Sequence, residues 1–110
     1  MYHASPGEVV DLRALGPRLK TAKTAAIVKS DEFEAIRLIV QAGRVIAPHR
    51  VEGEMTLHCL EGCVRLKFGS SSLELAAGQW LYLNRGLEHS VEGVEDSSLL
   101  LTILLPNEAR

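Results

Sequence analysis

The chain has 110 residues, 46% of them hydrophobic, with twelve Lys and Arg against fourteen Asp and Glu and a formal net charge of −2 at pH 7. That length and composition suit one domain with its own core, expected over 1–110 with a barrel core at about 22–105 and an N-terminal extension at 1–21. The near-balanced charge excludes the basic footprint of a nucleic-acid or anionic-membrane binder, leaving small molecules or other protein chains as partners.

The first residues, MYHASPGEVVDLRALG, combine neither a basic start nor an apolar run of leader length, so a cytoplasmic location is expected. Residues 11–20 hold a helical period that Gly16-Pro17 interrupts. Beyond them, turn signals recur at 30–32, 43, 61–62, 69–72, 76–78, 84–86 and 93–96, separating short segments rich in Val, Ile and Leu. This pattern predicts an all-β sandwich or closed barrel.

Within that pattern, EAIRLIVQ places Arg37 opposite in parity to Ile36, Leu38 and Val40. The default for such an arginine is a solvated strand face; turned into a pocket, it would favour an anionic ligand. Residues 55–68, MTLHCLEGCVRLKF, read as two strands joined by a two-residue hairpin at Glu61-Gly62. The expected pairs are Cys59 with Val64, Leu57 with Leu66 and Met55 with Phe68 on an apolar face, and His58 with Arg65 and Thr56 with Lys67 on a polar one. The same parity puts Cys59 and Cys63 on opposite faces, against a disulfide between them. Tyr82 and Trp80 share one strand face and supply either core mass or a cavity wall with one hydroxyl. The run SSLLLTILL lacks polar alternation and needs cover on both sides, as a central core strand or as part of a homodimer interface.

His49 and His89 each follow a glycine-marked turn and enter a strand, where side chains converge on a barrel opening. Residues 43–62, GRVIAPHRVEGEMTLHCLEG, resemble the first motif of the cupin family, G-x5-H-x-H-x3,4-E-x6-G, at Gly43, His49 and Gly62. Residues 78–93, GQWLYLNRGLEHSVEG, resemble the second, G-x5-P-x-G-x2-H-x3-N, at Gly78, Gly86 and His89. The resemblance implies a small RmlC-like jelly-roll barrel, a double-stranded β-helix.

The sequence departs from those motifs where the family holds its metal. Val51 stands at the second histidine and Met55 at the glutamate, leaving His49 and His89 of four ligands. Asn84 replaces the motif's proline and Gly93 its final asparagine. The resemblance therefore implies no cofactor firmly, and leaves room for a divalent transition metal held weakly by His49 and His89. It places His49, Val51, Met55, Leu57 and His89 in the pocket, with Tyr82 and Arg37 as further candidates, and assigns no catalytic residue. Three functions stay open: a barrel that binds or senses a small molecule, a metal-dependent dioxygenase- or isomerase-like enzyme using His49 and His89, and a metal-free epimerase or isomerase with a histidine base and Tyr82 as acid.

Overall fold

The computed structural model describes residues 3–106, and among these a 3-10 helix (Gly16–Thr21) precedes nine strands. The strands are β1 (Ala25–Lys29), β2 (Phe33–Val40), β3 (Val45–His49), β4 (Met55–Glu61), β5 (Cys63–Phe68), β6 (Ser71–Ala76), β7 (Trp80–Leu83), β8 (His89–Gly93) and β9 (Ser97–Leu104). They form two antiparallel sheets, one in the order β1-β2-β9-β4-β7 and the other β3-β8-β5-β6. The architecture is a double-stranded β-helix, or jelly roll. The larger sheet contributes Val40, Met55, Leu57, Cys59, Leu83 and Leu99 to the core, and the smaller contributes Val64, Leu66, Leu75 and Val91.

The expected hairpin at Glu61-Gly62 does not form. β4 pairs with β7 and β9, while β5 pairs with β6 and β8, so residue 62 is a corner where the chain crosses from one sheet to the other. Gly62 has φ of 84°, and a Cβ there would lie 2.2 Å from the Asp96 carbonyl oxygen and 2.5 Å from Ser97 Oγ. Only glycine fits such a corner. The inward residues are nonetheless those the alternation selected: Met55, Leu57 and Cys59 on β4, Val64 and Leu66 on β5. A period of two states which side of a strand meets the core but not which strand lies beside it. His58 accordingly sits between Leu100 and Trp80 rather than against Arg65. Arg65 instead pairs with Glu74 at 2.8 Å and Glu92 at 3.5 Å in the other sheet.

β9 occupies the centre of the larger sheet, between β2 and β4. Leu99 is fully buried, and the outward-facing Leu100 and Thr102 are half-buried, which explains the missing alternation in SSLLLTILL. Both cysteines are free, Cys59 in the core and Cys63 half-buried. Burial pushes the Cys59 thiol up to about 11, so it stays protonated at neutral pH.

Helical structure in 11–20 begins only at Gly16, with Pro17 in the first turn, where its missing N–H costs nothing. The segment is held by a clasp on the outer side of the larger sheet. The Leu15 and Gly16 N–H groups donate to the Glu61 carboxylate at 2.8 and 3.3 Å. Arg37 donates to the Arg13 carbonyl at 2.8 Å and to Ser98 Oγ at 3.1 Å, and lies 3.6 Å from Glu61. No helix among the described residues is long and apolar enough to cross a membrane.

Candidate functional site

β3 and β8 bring the two histidines together. Along β3, Val45 and Ile46 face Glu92 and Val91; the register then shifts, and His49 faces His89. Three steps on β3 thus match two on β8, so one residue bulges and Ile46 and His49 reach the same side despite their odd spacing. Pro48 lies within this irregular stretch, tolerated because β3 is an edge strand and the bulge does not require its N–H. The two imidazole centroids lie 4.5 Å apart with the rings tilted by 53°.

Each ring is oriented by its own backbone. His49 Nδ1 donates to the Ala47 carbonyl and His89 Nδ1 to the Leu87 carbonyl, both at 3.0 Å. A carbonyl oxygen can only accept, so both protons are on Nδ1, and in the neutral rings each Nε2 carries a lone pair. Neither Nε2 has a hydrogen-bond partner among the described residues. His89 is 3% exposed. Burial holds its pKa below the ordinary histidine value, opposed by the Leu87 hydrogen bond and reinforced by nearby His49.

These rings border a cavity of about 110 Å³ between the sheets. His49, Val51, Met55, Leu57 and His89 line it together. The wall also includes Leu38, Ile46, Val91, Leu101 and Ile103, which the motif spacing did not identify. Their signal was present as inward parity, but parity alone does not separate a cavity wall from the solid core. The mouth is tied by the Gly86 N–H, which donates to the Val51 carbonyl at 2.8 Å, and by Arg50, which donates to the Gly86 carbonyl at 3.1 Å.

Two candidate positions lie elsewhere. Tyr82 is on the outer face of β7 and 46% exposed, with its hydroxyl bonded to Glu54 and, at 2.7 Å, to Asn84. Its parity matches Trp80, which is 61% exposed, and opposes Leu83, which is buried. Arg37 likewise points away from the cavity: it neighbours Leu38, a cavity residue, and adjacent strand residues take opposite faces. It lines a separate open cleft with Asp11, Arg13 and Arg18 of the N-terminal segment.

The donors do not suit a hard divalent ion. Two imidazoles line the cavity, its other wall residues are hydrocarbon or thioether, and no carboxylate lines it. No group of three or more His, Cys, Asp or Glu among the described residues is placed to hold a metal. Glu54, adjacent in sequence to the position of the family's glutamate, directs its carboxylate to Tyr82. Ions such as Mn²⁺ or Mg²⁺ favour oxygen-rich sets that this wall does not provide.

No family model and no curated protein matches the chain. Solved structures do. A cupin superfamily protein from Desulfitobacterium hafniense is similar at 16% identity and TM-score 0.75, over 89% of this chain and 95% of that one. An RmlC-like cupin from Desulfovibrio desulfuricans is similar at 22% identity and TM-score 0.72, over 88% and 97%. A conserved protein of unknown function from Streptococcus pyogenes is similar at 18% identity and TM-score 0.74, over 94% and 92%. At these identities the likeness establishes the fold, which is that of the cupins, and leaves the chemistry to the site itself.

Proposed function

We propose that this chain is a small-molecule binding or sensing barrel whose ligand occupies the cavity between the two sheets, and that it works in the cytoplasm. The observation that carries this reading is the cavity itself: a space of about 110 Å³ walled by apolar side chains, with two oriented imidazoles as its polar groups. An apolar enclosure with a few fixed polar groups is the usual form of a ligand site. An epimerase-like reading with Tyr82 as acid loses support, because that hydroxyl is committed to Glu54 and Asn84 on the outer face.

Methyl NMR of the protein against a library of compact apolar molecules tests the proposal. Hits should shift the methyl groups of Met55, Leu57, Val91 and Leu101, which border the cavity on several strands. Shifts confined to outer-face residues would refute it. Elemental analysis of untagged protein separates the metal-dependent reading: one tightly held ion per chain, lost in His49→Ala, would replace the binding barrel with a metal enzyme.

A further inference from the structure

The cavity is specific about hydrogen bonds in a way its apolar lining conceals. Both Nδ1 protons are committed to the Ala47 and Leu87 carbonyls, so what the neutral rings offer beyond these bonds is the Nε2 lone pairs, on centroids 4.5 Å apart, that of His89 on a buried ring and that of His49 on an exposed one. No wall residue supplies a donor to either one: the remaining lining consists of Leu38, Ile46, Val51, Met55, Leu57 and their aliphatic neighbours. A ligand that brings only acceptors, such as an ether or ketone, would set its lone pairs against that of the buried His89 ring, at the cost of removing both from water.

We infer that the cavity takes an uncharged, compact molecule that presents an N–H or O–H donor to the His49 and His89 pair; this rests on the binding-barrel reading and specifies its ligand class. Charged ligands meet no permanent counter-charge in the wall. Among the wall residues His49 and His89 are the only titratable groups, and Arg50, next to His49 in sequence, is exposed and paired with Glu88 at 3.8 Å. An anion would lose its hydration without a fixed cation, and an ammonium group would find no carboxylate. Size narrows the class further. An apolar cavity of about 150 Å³ accommodates benzene, so a space of 110 Å³ suits a molecule of roughly five non-hydrogen atoms.

Pyrrole and furan make the decisive pair, since they have nearly the same shape and differ in the N–H donor. Titrated into the protein at pH 8 and followed by methyl NMR, pyrrole should bind about tenfold more tightly than furan, a difference expected for one well-formed hydrogen bond at a buried acceptor. In a His49→Leu/His89→Leu double variant that preference should collapse, with furan binding retained. Equal affinities in the native protein would overturn the donor requirement while leaving the cavity as a binding site. Binding of neither ring would remove the binding-barrel reading together with the inference. Independently of any variant, nitrogen-15 spectra of the histidine rings at pH 8 should show both protonated at Nδ1. A ring protonated at Nε2 would overturn the inference by itself.

Discussion

Arg37 and Leu38 are neighbours on β2, yet they belong to two regions that treat polar groups in opposite ways. On the outer side, the Arg37 and Glu61 side chains are 13% and 14% exposed, and each spends its hydrogen-bonding capacity on the other's surroundings: Ser98, the Arg13 carbonyl and the Leu15 and Gly16 N–H groups. On the inner side, Leu38 helps wall a cavity in which each imidazole satisfies one nitrogen and leaves the other open. A polar cluster that closes on itself holds chain segments together. One that stays open within an apolar wall is prepared for something that is not part of the chain.

The comparison breaks most visibly if the inner wall is not tightly packed. Leu57→Ala removes a side chain that is 1% exposed, and the expected loss is about 3 kcal/mol of unfolding free energy by urea titration. The same variant should accept larger ligands than the native cavity, read as new methyl shifts with benzene. A loss below about 1 kcal/mol would mean that the wall collapses freely and that the cavity is not preformed.

Glu61→Ala tests the closed cluster and should cost about 2 kcal/mol, since it leaves Arg37 largely buried without its carboxylate. It also removes the acceptor for Leu15 and Gly16, so limited proteolysis should cut between residues 3 and 24 sooner than in the native protein. If cleavage is unchanged, the carboxylate is not what fastens the N-terminal segment.

A smaller effect should follow pH. The folded His89 has a pKa below its ordinary 6.5, so as pH falls the unfolded chain takes up this proton first, and stability declines from about 6.5 downward. The decline ends once folded His89 also titrates. In His89→Gln that part of the pH dependence should disappear, and a native-like slope in the variant would assign it to other groups. The smallest change is expected for Tyr82→Phe: the hydroxyl lies on the exposed outer face, so stability should shift by less than about 0.5 kcal/mol and ligand binding not at all.

Much of this was legible in the residue pattern. The turn signals fall at most strand boundaries, missing the one between β3 and β4, the inward parity of 55–68 matches the buried residues of β4 and β5, and the two glycine-and-histidine motifs converge, with His49 directly opposite His89. The errors share one cause. The hairpin at Glu61-Gly62 was inferred from a pattern that fits both a paired neighbour and a strand facing it across a sandwich. Tyr82 was a candidate because an aromatic residue in a strand reads alike on either face until its buried neighbour Leu83 sets the parity.

From the sequence alone came what local spacing can determine: an all-β chain and the inward side of most strands, with the resemblance to the cupin motifs adding the expectation that Val51 and Met55 stand where that family holds metal ligands. Alternation and motif spacing are properties of short segments, and they survive without knowledge of the partner strands. The tertiary structure alone decided that Gly62 turns a corner between sheets, that an irregularity between Ile46 and His49 brings the two to one side, and that Leu101 and Ile103 of β9 complete a wall begun by β3, β4 and β8. Each depends on which distant segments lie side by side, and that is set by how two sheets bury their apolar faces against each other as a whole.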